Sequence, residues 1–137
     1  NDVSTIISIS AEIESQIAQL ENEVEKKEFL DSLDWNSSGL DRIIKSSYNK
    51  LNLITYFTAG EKETRAWTIK KNSTAPDASA VIHTDFKKGF ICAETTSYED
   101  YIKYGGLKCA KENGKTRQEG KEYLIKDGDV VHFLFNV

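Results

Sequence analysis

Six cations, Lys103, Lys108, Lys111, Lys115, Arg117 and Lys121, stand within nineteen residues against only two anions, Glu112 and Glu119. Tyr98, Tyr101, Tyr104 and Tyr123 lie in or beside this stretch. Ammonium and guanidinium groups neutralise phosphates, and aromatic rings stack on unpaired bases, so the pattern is that of an RNA or ribosome-facing surface. A merely solvated basic loop is the competing reading. His83-Thr84-Asp85 is the other polar set with chemical potential, since a carboxylate can orient an imidazole that serves as a base. Neighbouring residues do not share a helix face, however. His83 therefore reads as a structural group bonding backbone near a helix end, with Thr84 and Asp85 satisfying local backbone groups.

Other chemistry is thinly supplied. Cys92 and Cys109 are the only cysteines and His83 and His132 the only histidines. Two cysteines make neither a disulfide framework nor a four-ligand zinc site, so unpaired thiols and no bound metal are expected. No glycine-rich phosphate loop ending in Lys and Ser or Thr is present, nor a dinucleotide fingerprint or nucleophile elbow. By itself this chain is not expected to hydrolyse nucleoside triphosphates.

The elements that must carry these residues follow from periodicity and caps. The 137 residues bear a net charge of −4. That total hides a split: residues 1–50 hold ten acids and five bases, and residues 51–137 hold twelve acids and thirteen bases. One globular unit plus an accessory element fits this length. No run of 18 apolar residues spans a bilayer and no secretion leader is evident, so a cytoplasmic protein without membrane contact is expected.

Thr5-Ile6-Ile7-Ser8-Ile9 reads as a strand. Ser10 then caps an acidic helix whose Ile13, Ile17, Leu20 and Val24 form one apolar stripe that needs a partner. After a break at Asp31–Asn36, which Trp35 plugs, Ser38 opens a second helix with Asp41 as its reciprocal cap. Leu40, Ile43, Ile44, Tyr48 and Leu51 are its apolar face. The two helices form a hairpin.

From Leu53 the period becomes strand-like. Leu53–Phe57 and Thr64–Ile69 read as strands joined by the turn Thr58–Glu63, with Trp67 directed to the core. Thr74 caps a helix with Pro76 in its first turn, Ala78, Val81, Ile82 and Phe86 on one face, and Gly89 as its stop. Phe90–Thr95 is a strand, and Tyr98–Tyr104 a short helix ended by Gly105-Gly106. Residues 107–120 read as loop or short helix. Tyr123–Ile125, the turn Lys126–Asp129 and Val130–Phe135 close the chain as strands. The pattern is a small α+β roll with one helix over a mixed sheet.

Certain residues carry a specific likeness. Leu53–Glu63, Arg65–Ile69, Ala75-Pro76, Val81–Phe86, Lys88–Ile91 and Ala93-Glu94 closely resemble the C-terminal part of the YchF family of Obg-related P-loop nucleotide hydrolases. The likeness resumes at Gly114-Lys115, Arg117, Glu119-Gly120, Tyr123, Asp127–Val130, Phe133 and Phe135–Val137. Upstream, Ile7–Ala11 with Glu14 resembles the last strand and fifth nucleotide-binding motif of the family's G domain, and residues 28–33 and 39–48 resemble its connector.

The resemblance implies two parts. Residues 1–52 would end the nucleotide hydrolase domain and form a helical connector. Residues 53–137 would be a TGS domain, a β-grasp, ubiquitin-like fold also found in threonyl-tRNA synthetases and stringent-response enzymes. Ala75-Pro76, Ile82–Asp85 and Asp127-Gly128-Asp129-Val130 are its signature-like elements, with His83, Asp85, Asp127, Gly128 and Asp129 in structural roles. Ser10 and Ala11 match the motif whose backbone approaches the nucleotide base, and Glu14 the acidic position that steadies that loop.

Family members bind and hydrolyse ATP, and often GTP less well, and associate with ribosomes. The resemblance thus implies a parent with an upstream P-loop domain holding ATP or GTP with Mg2+, and in this chain a regulatory module without cofactor or catalytic residue. Its expected partners are the ribosome or ribosomal RNA. Two alternatives stay open: a protein adaptor without nucleic-acid contact, and completion of the ATPase site in cis. Nucleotide preference and oligomeric state are likewise open.

Overall fold

Short polar side chains decide where the helices begin. In the computed structural model, which describes residues 6–60 and 63–136, Ser10 Oγ accepts from the Ile13 N–H at 3.4 Å and opens α1 (Ala11–Gln19). Asn22 Oδ1 accepts from the Glu25 N–H at 2.8 Å and opens α2 (Glu23–Ser32). Ser38 Oγ accepts from the Asp41 N–H at 3.0 Å and opens α3 (Gly39–Lys50), donating in turn to the Asp41 carboxylate at 2.8 Å.

The expected single helix through Val24 is therefore two. Leu20 is extended, because Asn22 gains more by capping the next helix than by sitting inside one. The apolar stripe is divided with it: Ile17 is buried while Val24 is 68% exposed. The hairpin is accordingly a three-helix segment. Among the described residues the expected opening strand is also missing, since Ile6–Ser10 is without regular structure; Thr5 lies outside them. A strand persists only where its backbone groups find partners.

The chain forms two compact units, residues 1–51 and 52–137. In the second, β1 (Leu53–Ala59) and β2 (Thr64–Lys70) make an antiparallel hairpin in register from Leu53 opposite Lys70 to Ala59 opposite Thr64. Glu61 and Lys62 of the expected turn lie outside the described residues. The sheet has the order β2-β1-β5-β3-β4, with β3 at Phe90–Thr96, β4 at Arg117–Glu119 and β5 at Val130–Phe135. β5 runs parallel to β1 and antiparallel to β3. The fold of this unit is thus a mixed one of helices on a mixed sheet.

One face of the sheet is covered by α4 (Ala75–Ile82), capped by Thr74 as its sequence dictates. Ala75 and Ala78 are fully buried and, having no bulk beyond Cβ, let the helix approach Ile54, Tyr56, Ile69, Phe90, Ala93, Val131 and Phe133. The Tyr56 hydroxyl donates to the Ala78 carbonyl at 2.9 Å, tying sheet to helix.

Three sequence expectations change in this unit. The helix through Phe86 breaks at His83, which ends α4 and begins α5 (Thr84–Lys88); Val81 is 49% exposed and leaves the core face. Tyr123–Ile125 is not a strand of a terminal hairpin. It runs past the start of α4 instead, with the Ala75 N–H donating to the Tyr123 carbonyl at 2.8 Å and the Ile125 N–H to the Ser73 carbonyl at 3.0 Å. The stretch 107–120 holds both a helix, α7 (Leu107–Glu112), and the edge strand β4. Before them, α6 (Tyr98–Tyr104) ends as expected at a left-handed Gly105.

Candidate interaction surface

The cations of residues 103–121 are spread over α6, α7, the following loop, β4 and the turn after it, and they are not equivalent. Lys111 Nζ lies 2.7 Å from Glu94 Oε1 of β3, and Arg117 Nε lies 3.0 Å from Glu119 Oε1. Lys111 holds the Glu94 carboxyl below its ordinary range, chiefly by its hydrogen bond, and Glu119 raises Arg117 in the same way. Both residues are thus internal ties. Lys103, Lys108, Lys115 and Lys121 form no ion pair with the described residues. Lys103 Nζ lies 5.5 Å from the centre of the Tyr104 ring, a cation–π contact that leaves its charge facing water.

Of the four tyrosines, Tyr98 is the exposed one, at 49%. Its ring lies 6.1 Å from that of Phe57 on β1, so it has an apolar neighbour behind it. Tyr101 and Tyr104 are half-buried. Tyr123 is committed elsewhere: its hydroxyl donates to Asp129 Oδ2 at 2.7 Å and accepts from Arg117 Nη2 at 3.4 Å. Burial first, and the Asp129 carboxylate second, push this phenol up to about 12.

Asp127-Gly128-Asp129 is a strand-pairing device. Asp127 Oδ1 accepts from the Thr55 N–H, the Gly128 N–H donates to the Thr55 carbonyl and the Phe57 N–H donates to the Asp129 carbonyl, each at 2.8 Å. The turn thereby extends the β1–β5 ladder. Gly128 supplies the positive φ of 84° that the turn needs. Asp129 is buried, and its carboxylate accepts from both Tyr123 and the Lys126 N–H.

His83 Nδ1 accepts from the Asp85 N–H at 3.3 Å and so caps α5, while Asp85 pairs with Lys88 at 3.3 Å. His83 is open to solvent; Cys92 lies on β3 and Cys109 on α7, both unpaired. Among the described residues, no group of three or more His, Cys, Asp or Glu is placed to hold a metal ion, and no helix is long and apolar enough to cross a membrane.

In the first unit, Ser10 is spent on the α1 cap and Ala11 is the first, exposed residue of that helix. Glu14 has a clear task. Its carboxylate accepts from the Gly39 N–H at 2.6 Å and the Leu40 N–H at 3.3 Å, closing amides at the start of α3 that have no partner within the helix. A side chain at Gly39 would meet Glu14 Oε1 at 2.7 Å, so the glycine is what admits the carboxylate. Glu14→Ala is expected to destabilise this unit by about 1 kcal/mol, the usual loss on removing a cap, and Glu14→Gln, which keeps an acceptor, by less; thermal unfolding of both variants measures the difference.

Sequence reasoning placed Trp67 in the core and missed a groove beside it. The indole is half-buried, held by its Nε1–H donating to Thr58 Oγ1 at 2.9 Å and roofed by the Arg65 guanidinium 4.3 Å from the ring centre. Opposite it, Phe86 of α5 stacks on Phe135 of β5 with centroids 3.8 Å apart. Ile82 and Phe133 complete a groove of about 320 Å³. A signal was present, since Arg65 and Trp67 are two apart on a strand and must share a face.

Known proteins match this arrangement. The family model YchF-GTPase_C, described as a protein of unknown function (DUF933), matches residues 53–136. The "Ribosome-binding ATPase YchF" of Bacillus subtilis is 58% identical over 132 residues, covering 96% of this chain and 36% of the Bacillus protein. That of Haemophilus influenzae is 56% identical over 134 residues, covering 98% and 37% respectively. The chain therefore spans a little over a third of the length of these curated relatives. The solved Schizosaccharomyces pombe YchF GTPase superposes with a TM-score of 0.80 at 40% identity, over 96% of this chain and 34% of that one. A GTP binding protein from Pyrococcus horikoshii, at 22% identity and a TM-score of 0.53, shares the fold. With the family model matched from the first strand of the sheet to the end of the last, the chain belongs to the YchF-GTPase_C family.

Proposed function

We propose that this chain is the C-terminal regulatory and ribosome-interaction module of a ribosome-associated ATP- and GTP-binding hydrolase, not catalytic by itself. The observation that carries the reading is the 58% identity, over 96% of the chain, to a ribosome-binding ATPase. The sheet order with its central parallel pair and one covering helix supports a β-grasp, TGS-type domain for residues 53–137. Residues 1–52 would join it to an upstream P-loop domain. Exposed Val24, Leu40 and Ile44, at 68%, 58% and 49%, support a further domain packing there.

ATP or GTP with Mg2+ would be held by that upstream domain. Here Ser10 and Ala11 would meet a nucleotide through backbone groups, because the Ser10 hydroxyl already caps α1 and the Glu14 carboxylate already closes α3. This chain would contribute positioning and no phosphate ligand.

The ribosomal contact is assigned to Lys103, Lys108, Lys115 and Lys121, with Lys111 and Arg117 holding the scaffold. Each neutralised phosphate contributes roughly 0.7–0.9 to the slope of log K against log salt. In ribosome co-sedimentation of the whole protein, changing all four free lysines to Ala is expected to flatten that slope by about 3 and weaken binding at low salt. Changing Lys111 and Arg117 instead should lower thermal stability with a smaller change of slope. An unaltered slope in the fourfold variant would remove this surface from the contact.

A further inference from the structure

We propose that the groove beside Trp67 binds a free amino acid with an aliphatic side chain, held as the zwitterion: its α-ammonium on Glu63, its α-carboxylate on Arg65 and its side chain between the aromatic walls. The groove shares no residue with the basic stretch 103–121, so this inference does not rest on the ribosomal contact.

Two charges of opposite sign stand at the mouth. Glu63, Arg65 and Trp67 alternate along the chain, and all three line the groove. A spacing of two residues is roughly 7 Å along a strand. An ammonium and a carboxylate carried on one carbon bridge that step through charge-assisted hydrogen bonds of about 2.8 Å at either end. Both side chains are exposed, and neither forms an ion pair with the described residues. Arg65 is nonetheless held in position, its guanidinium 4.3 Å from the centre of the Trp67 ring. A guanidinium seated over a ring still has in-plane N–H donors for a carboxylate. Thr58 adds a hydroxyl within the groove: Oγ1 accepts from the indole Nε1–H at 2.9 Å, which leaves its own hydrogen for a ligand acceptor.

Charge and space select the class of ligand. The other titratable residue at the groove, His132, lies between the buried Val131 and Phe133 and opposite Glu94 of β3, so its side chain is on the other face of the sheet. Glu61 and Lys62, next in sequence, add one charge of each sign. A ligand with a single charge would satisfy one of Glu63 and Arg65 and be repelled by the other, whereas a zwitterion pairs with both. A flat aromatic ligand is disfavoured because one face of Trp67 already carries Arg65 and one face of Phe86 already carries Phe135. The volume of about 320 Å³ is at the small end for a ligand pocket and suits one amino acid, not a peptide or a dinucleotide.

The test is chemical-shift titration of the isotopically labelled 137-residue chain with four probes. These are L-leucine, L-leucinamide, which lacks the carboxylate, 4-methylpentanoate, which lacks the ammonium, and glycine, which lacks the side chain. Leucine is expected to shift the Trp67 indole N–H and the Glu63 and Arg65 amides, with half-saturation at about 1 mM. The indole of Trp35, the second of the two tryptophans, should stay in place. Leucinamide and 4-methylpentanoate should each bind about fivefold more weakly, the loss of one exposed ion pair, and glycine should give no response. Glu63→Gln, a change at an exposed side chain, is expected to weaken leucine and leucinamide about fivefold and to leave 4-methylpentanoate unchanged. No response to leucine at about 20 mM, equal affinity for the three probes that carry the side chain, or undiminished leucine binding in Glu63→Gln would each overturn the proposal.

Discussion

Tyr56→Ala is expected to destabilise the second unit by about 3–5 kcal/mol, as truncation of a buried aromatic does elsewhere. Tyr56 is fully buried at the centre of the sheet. Its ring meets Phe133 edge to face with centroids 5.9 Å apart, and its hydroxyl ties β1 to the Ala78 carbonyl of α4. Removing it opens a cavity at the sheet–helix contact and takes away the hydrogen bond that crosses it. For a unit of this size the loss corresponds to a fall in Tm on the order of 20 °C, readable by circular dichroism. Tyr56→Phe keeps the packing and loses one hydrogen bond to a carbonyl that α4 already pairs, so its cost should be about 0.5–1.5 kcal/mol.

The same residue gives the unit an alkaline limit. Burial raises the Tyr56 phenol far above its ordinary value of 10.0, and Tyr123 rises to about 12. Both groups hold their protons more tightly folded than unfolded. Their contribution is therefore complete below pH 10 and is lost as pH rises through the folded values, where the unfolded chain ionises first. Tyr56→Phe should flatten the decline of stability above pH 10. A decline as steep as in the unsubstituted chain would assign the limit to other groups.

Gly89→Ala is the second large effect, and it arises from space. Gly89 has an ordinary φ of −92°, so its backbone conformation would accept any residue. A Cβ there would overlap the Asn136 carbonyl oxygen and lie 2.8 Å from its carbon. These are main-chain atoms and cannot rotate aside. Asn136 is fastened by its N–H to the Gly89 carbonyl at 2.8 Å, so relief means peeling the end of β5 from the start of β3. That separates Phe135 from Phe86. Overpacking of this kind costs about 1–3 kcal/mol, occasionally more. The variant is expected to unfold at lower temperature and to lose the groove wall, the latter measurable as loss of upfield aromatic shifts from the stacked pair.

The sequence-level expectation that Gly89 ends a helix is met, though by crowding and not by a left-handed turn. A cap or a turn involves residues three or four apart, and such features are legible without a structure: Ser10, Ser38 and Thr74 cap the helices that follow them, and Gly105 closes α6. Strand periodicity located β1, β2, β3 and β5 for the same reason, since alternation is written in consecutive residues.

What local pattern could not settle were choices between competing partners far apart in the chain. Asn22 and His83 each interrupt a helix whose apolar spacing continues past them, and a spacing rule has no measure of a cap's advantage over an interior position. β4 is only three residues long and exists because β3 offers it an edge. Tyr123–Ile125 has strand-like residues yet pairs with Ser73 and Ala75, and Thr55 finds Asp127 across 72 positions.

For the candidate surface the division is the same. Residue types alone determined that a basic, tyrosine-bearing stretch begins at Tyr98 and that these 137 residues carry no glycine-rich phosphate-loop motif. Only the tertiary structure decided that Lys111 and Arg117 are bound to Glu94 and Glu119 while the other four lysines form no ion pair with the described residues, because a charge's availability depends on which carboxylate the fold brings within reach.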